Sequence, residues 1–358
     1  MVTIDQLLYT TVHHSGSDLH IKAESPPLVR IHGDLVQLEM EPMSQDETKQ
    51  LSLSVLSEAQ RARFEDELEL DFAYEIPGLA RFRGNIYQQR GAIQSAFRVI
   101  PLRIQSMEEL GLPAVCRYFS ERPRGLVLVT GPAGSGKSTT QAAMIDYVNS
   151  NYPVHIVTVE DPIEFIHEDR ESLINQRELD TDTLSFSNAL KYVLRQDPDV
   201  ILIGEMRDLD TIHLAITAAE TGHLVFGTLH TTDAVQTVDR IIDVFPTYQQ
   251  QQVRMQLAVN LIGVISQTLV KRADGQGRVA AFETLVAISS VRNLVRENKT
   301  YQIGSLIQTG QRHGMMSLDQ SLADLYSRRL VTYRDALEKS SNVHEFKALA
   351  GEAPEDSQ

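Results

Sequence analysis

Residues 131–138 read GPAGSGKS, a glycine-rich run that ends in a lysine and a hydroxyl. The spacing G-x-x-x-x-G-K-[ST] belongs to loops that wrap phosphates. Gly131, Gly134 and Gly136 let the backbone curl so that successive N–H groups converge on an anion. Pro132, Ala133 and Ser135 fill the loop between them, and Thr139 continues into a helix whose N-terminus adds partial positive charge. Lys137 is expected to reach the β- and γ-phosphates, and the Ser138 hydroxyl to hold Mg²⁺. Composition alone would produce such a match on the order of one per cent of the time in a chain of this length. The run also follows an apolar strand at 125–130 and opens a helical stretch at 137–149, as the motif requires. ATP and Mg²⁺ are the cofactors this chemistry calls for.

Phosphoryl chemistry of this kind needs a carboxylate at the end of a neighbouring strand to hold the metal's shell. The run 200–203, VILI, is followed by Gly204 and Glu205. An aspartate usually ends this strand; Gly204 takes its place, and Glu205 is the first carboxylate. A second acidic cluster, Glu160, Asp161 and Glu164, follows the apolar run 155–159. One of the three should orient or deprotonate the attacking water, and spacing leaves open which. His223 and His230 bracket the run 224–228, so either could approach the nucleotide or a subunit boundary. The other histidines, among them His20, His32 and His167, show no metal-ligand spacing.

These residues need a scaffold. Apolar runs at 125–130, 155–159, 200–203 and 224–228 alternate with helical patterns at 137–149, 185–196 and 208–221, which predicts an α/β parallel sheet. A long amphipathic helix is expected over 249–270, a strand over 279–286 and helices through 289–340. Residues 1–100 read differently. A strand over 19–23, a hairpin turning at His32, Gly33 and Asp34, one helical stretch over 44–67 capped by Ser44 and Glu47, and strands at 70–74, 80–88 and 93–100 predict a smaller α/β domain. Residues 101–113 have a proline at each end and read as a linker with a short helix near Ser106. Residues 114–350 form the second domain, and the polar tail 351–358 is expected to be disordered.

The chain has 358 residues, 42% of them hydrophobic, and a net charge of -15. That charge argues against binding nucleic acid by bulk electrostatics. The single cysteine, Cys116, excludes an internal disulfide framework and a four-cysteine zinc site, and fits a small buried hydrophobe in a reducing cytoplasm. The N-terminus has no basic, apolar leader pattern, and nowhere do 18 apolar residues run together, so no membrane insertion is expected.

Residues 194–208, LRQDPDVILIGEMRD, resemble the signature of the type II/type IV secretion ATPase family. Residues 159–165 and 222–231 resemble that family's Asp box and His box, in the same order. Within the family the chain is most similar to its type IV pilus retraction branch. Ser17 to His20, 26–30, 81–85 and 97–101 resemble that branch's first-domain segments. Residues 290–295, SVRNLV, resemble its A-I-R-N-L-I motif with Ser and Val substituted. The usual Thr of the phosphate loop is Ala133.

The resemblance implies a PAS-like N-terminal α/β domain followed by a RecA-like P-loop NTPase domain, assembled as a homohexameric ring. It implies ATP hydrolysis driving pilus retraction and twitching. Glu164 would be the catalytic glutamate and Glu205 the glutamate on the Mg²⁺ side. Arg207, Glu160, Asp161 and His223 would lie along the nucleotide, and His230 among the catalytic groups. Arg83 and Arg98 of the first domain would bring positive charge to the phosphates. The implied partners are an inner-membrane platform protein, at whose cytoplasmic face the ring would sit, and a paralogous pilus ATPase. An accessory pilus ATPase and a secretion or competence motor are the alternatives.

Overall fold

The computed structural model describes residues 2–31, 33–100 and 103–351. His32 in the hairpin turn, the first two linker residues and the tail from 352 lie outside the described residues. The chain divides into two compact units, Met1–Arg103 with Pro162–Ile166, and Ile104–Asp161 with His167–Gln358.

The first unit is built on six strands, β1 (Gly16–Ile21), β2 (Leu28–Ile31), β3 (Asp34–Gln37), β4 (Glu69–Ile76), β5 (Ala80–Gln89) and β6 (Ala92–Ile100). They form one antiparallel sheet in the order β3-β2-β1-β6-β5-β4. Alternation along β5 is strict, with Phe82, Gly84 and Ile86 buried between half-exposed neighbours. A Cβ at Gly84 would sit 2.4 Å from the Phe72 ring, so only glycine lets that ring cross the strand. Leu7, Leu8, Leu19, Val29, Phe82 and Phe97 make the core. The expected helix over 44–67 is two helices, Gln45–Ser54 and Glu58–Glu67. Ser57 and Gln60 form a second capping box, and this start signal divides the stretch.

The second unit carries β7 (Gly125–Thr130), β8 (His155–Glu160), β9 (Leu173–Glu178), β10 (Val200–Ile203), β11 (Leu224–Leu229), β12 (Leu261–Lys271) and β13 (Arg278–Val286). Their order is β13-β12-β7-β11-β10-β8-β9, with every pair parallel except β12 and β13. β7, β10 and β11 are buried at every position, as strands covered on both faces must be.

The expected helix over 249–270 is corrected. A helix spans Thr247–Asn260, and β12 follows with no intervening loop. Its first seven residues are all buried. A run this apolar carries no stripe for a helix to expose, and pairing on both sides with β7 and β13 decides it. Near Ser106 there is a hydrogen-bonded turn, Leu110 N to Ser106 O at 3.1 Å, in place of a helix. Cys116 is fully buried, and burial pushes its thiol up to about 12. Among the described residues no helix is long and apolar enough to cross a membrane.

Candidate active site

Because β7, β11, β10 and β8 are parallel, their carboxyl ends share one edge of the sheet, where open α/β sheets bind ligands. β7 runs into the 131–138 loop, and the helix Lys137–Asn151 leaves it. Gly131, Gly134 and Gly136 have φ of 141°, 72° and 88°, conformations that other residues enter only with strain. A Cβ on Gly131 would lie 2.2 Å from the Gln267 carbonyl oxygen of β12. The amide of Gln267 donates to the Ser135 carbonyl at 2.6 Å, so the neighbouring strand supports the loop from below. Lys137 is buried and donates to the carbonyls of Gly131 and Pro132 at 2.9 and 3.0 Å. Pro132, Ala133 and Gly134 are exposed at the rim, and Ser138 and Thr139 are half-buried in the first helical turn.

β11 ends beside Gly131 and delivers His230; β10 ends one strand further and delivers Glu205. At ordinary strand spacing the phosphate loop and Glu205 are about 10 Å apart, a gap that a phosphate chain bridges. His230 Nε2 lies 3.0 Å from Glu205 Oε1, and Arg207 Nε is 2.5 Å from the same oxygen. Burial works to raise the Glu205 pKa. The hydrogen bond and charge of Arg207 outweigh it, helped by His230, so the carboxyl sits below its ordinary range. The Glu205 bond in turn raises Arg207, as does Asp161 at the end of the next strand. Glu160 accepts from Thr158 at 2.7 Å and from Gln176 of β9 at 3.2 Å.

Gly204 owes its identity to packing. A Cβ there would meet Glu160 Cα at 3.0 Å and the Val159 carbonyl oxygen at 3.2 Å. The carboxylate is therefore carried one residue later, on Glu205, past the crowded strand end.

The structure does not bring His223 to this edge. It precedes β11, and its carbonyl accepts from Gly125 N at the start of β7. Seven residues of extended chain separate it from His230, roughly 20 Å. Its ring bonds the Ala218 carbonyl at 2.8 Å and so closes the helix Leu209–Glu220. Within one chain this is a capping role, at the opposite end of β11 from the phosphate loop.

Arg83 and Arg98 belong to the first unit, where they are register partners on β5 and β6. Arg98 pairs with Asp18 at 2.9 Å and Arg83 with Asp71 at 3.7 Å. Glu164 is half-buried and lies in the 162–166 segment that groups with the first unit.

Several supporting residues were not candidates from sequence. Thr130 shares a hydrogen bond with Ser266 of β12 at 2.7 Å, and Thr228 donates to Gln141 at 2.9 Å. Thr231 and Thr237 share a bond of 2.6 Å. Polar residues inside apolar runs were the available signal. For Ser266 and Gln267 that signal was masked by the helical reading of their segment.

Groups that would receive a nucleotide can be checked on the loop itself. Ser135 Oγ is buried with no hydrogen-bond partner, and it lies close enough to Gly131 that a Cβ there would come within 2.7 Å of it. No three His, Cys, Asp or Glu among the described residues cluster as a metal cage. A hard cation held by Ser138, a nearby carboxylate and the nucleotide's own phosphates fits this donor set.

The sequence model of the family described as Type II/IV secretion system protein matches residues 90–329. The type IV pilus retraction ATPase PilT of Pseudomonas aeruginosa is 50% identical over 343 residues, covering 96% of this chain and 99% of that one. The type IV pilus ATPase PilU of the same organism is 39% identical, covering 96% of this chain and 90% of its own length. A crystal structure of the pilus retraction motor PilT with bound ADP superposes with a TM-score of 0.89 at 44% identity, covering 97% of this chain and 100% of that one.

Proposed function

The chain belongs to the type II/IV secretion system protein family, and from that premise we propose that it is the ATP-hydrolysing motor of type IV pilus retraction. The observation that carries the chemistry is one sheet edge bearing the 131–138 loop on β7, His230 on β11 and Glu205 on β10. Greater similarity to PilT than to PilU favours the retraction motor itself over an accessory one.

The loop binds the phosphates through its N–H groups, with Ser135 Oγ as a further donor. Lys137, held on the Gly131 and Pro132 carbonyls, exchanges those for phosphate oxygens. Mg²⁺, held by Ser138 and Glu205, would neutralise charge on the phosphates. Glu205 stays ionised at neutral pH because Arg207 and His230 sit on it. Among the Asp-box carboxylates, Glu160 is held by Thr158 and Gln176, and Asp161 lends its charge to Arg207. Glu164 is therefore the proposed base for the attacking water, in keeping with its place in the family's motif. Arg83 and Arg98 are proposed to add positive charge at the phosphates, where such charge contributes most to the transition state. Similarity to the pilus retraction ATPase over 96% of the chain supports a homohexamer at the cytoplasmic face of the inner membrane. There it would act on a platform protein, alongside a paralogous ATPase.

Two measurements test this. Purified protein should release phosphate from ATP, and Lys137→Ala should abolish the release. Deletion in the host should leave many surface pili without twitching, restored by wild type and not by Lys137→Ala. Loss of pili altogether would point to assembly instead, and normal twitching to an accessory or secretion motor.

A further inference from the structure

Glu283 lies on β13, four strands along the sheet from β10, whose end carries Glu205. Its Oε1 accepts the backbone N–H of Ala234 at 2.8 Å. Ala234 is the first residue of the helix Ala234–Asp243, and that helix starts where the 230–233 loop ends. The helix's own cap, Asp233, is committed elsewhere: its side chain accepts from Gln236 N at 2.8 Å. The first N–H is thus held from the sheet and not from the helix. Two more bonds fasten the loop to the same turn. Thr237 donates to the Asp233 carbonyl at 2.6 Å, and its hydroxyl meets Thr231 at 2.6 Å. The register partner of Glu283 on β12 is Ser266, whose hydroxyl bonds Thr130 immediately before the phosphate loop. One rung of the sheet therefore grips both the stem of the phosphate loop and the root of the His230 loop.

We propose that Glu283 is a positioning residue for hydrolysis, holding the helix Ala234–Asp243 so that the 230–233 loop keeps His230 on Glu205. The inference rests on the ATPase reading and deepens it. An ionised carboxylate makes the stronger bond to an N–H and suits a helix N-terminus. The charged groups that act on Glu283 are carboxylates: Asp233 at the cap, Asp319 on the helix Leu318–Ser327 and Glu345 on Val343–Ala350. Burial, and then these three, push its carboxyl up to about 7, against the Ala234 N–H that lowers it. The grip accordingly strengthens as pH rises through neutrality.

The test is steady-state ATP hydrolysis by the full chain between about pH 6 and pH 9, with melting curves, for wild type, Glu283→Gln, Glu283→Ala and Lys137→Ala. Glu283→Ala should lower kcat roughly tenfold with KM for ATP unchanged, the size of one charged hydrogen bond lost. Glu283→Gln keeps shape and acceptor but has no charge. It should melt no lower than wild type at pH 8, lower kcat about threefold there, and lack the wild-type rise in rate near pH 7. If Glu283→Ala does not fold, Glu283→Gln decides alone. The proposal is overturned if Glu283→Gln keeps the wild-type rate and the same pH step, or if a folded Glu283→Ala turns over as wild type does. A wild type that does not hydrolyse ATP, or a Lys137→Ala that does, would instead sink the ATPase reading.

Discussion

Replacing Glu205 by glutamine separates its charge from its shape. The carboxylate has 19% of its side chain exposed and takes both Arg207 and His230 on a single oxygen. Glutamine keeps an acceptor at that position, so Arg207 retains a hydrogen bond and loses only a counter-charge. Because Arg207 is 73% exposed, that loss is screened and costs about 1 kcal/mol of stability at most. For a domain of this size the melting temperature should fall by no more than about 4 °C. The effect on turnover should be far larger. Glu205 would act through the Mg²⁺ it helps to hold, and removing one preorganised electrostatic contribution to a transition state costs about 2.7–4 kcal/mol, so kcat should fall on the order of 10²- to 10³-fold. Phosphate release at saturating Mg-ATP measures this, with nucleotide affinity and melting followed in parallel. Affinity should change little, because the phosphates are held chiefly by the 131–138 loop. A kcat within tenfold of wild type would mean that Glu205 merely anchors Arg207 and His230, and the catalytic assignment would be wrong.

Gly131→Ala should abolish nucleotide binding while the protein still folds. The added Cβ meets the Gln267 carbonyl at 2.2 Å and the φ of 141° is strained for alanine, at least ~2 kcal/mol, so wild-type affinity in a nucleotide titration would count against the loop geometry. Gly204→Asp, which restores the usual carboxylate at the strand end, should lower both the melting temperature and turnover, because its Cβ presses on Glu160 and Val159. An increase in kcat would show that the strand ends part easily. His167 is held neutral, its pKa lowered to about 4 by burial and then by Arg170. The unfolded chain binds this proton from about pH 6.5 downward and the folded chain does not, so stability is lost as pH falls, by up to about 2 kcal/mol at pH 5. His167→Gln should flatten that dependence in thermal melts, and an unchanged slope would place the titration elsewhere.

The parts of the site that follow one another along the chain were legible. Residues 131–138 announce their chemistry, and the apolar runs on either side need no tertiary information. Glu205 and His230 could be named from strand ends because parallel strands point their carboxyl termini one way. The contact between them could not, since it depends on β11 lying between β7 and β10, and strand order is written nowhere in a single strand's pattern. The same logic hid Glu283, whose partner is 49 residues away. β9 escaped notice because its burial alternates only weakly, being an edge strand of polar residues such as Asn175 and Gln176. The helix Ala234–Asp243 is readable in hindsight from its Asp233 cap and the buried Ala234, Val238, Ile241 and Ile242. β12 was the reverse case: its apolar run continued the preceding helix without a breaker, and only pairing with β7 and β13 distinguishes the two.

The burial of Cys116 leaves the protein chemically silent toward thiol reagents. The sole thiol is sealed behind Phe119 and its neighbours and is protonated at any pH a maleimide tolerates. A cysteine introduced at an exposed position such as Leu184 or Tyr248 would thus be the only one to react, with no need to remove the native residue first. Paired fluorophores could then follow the working motor turnover by turnover in an otherwise unaltered chain.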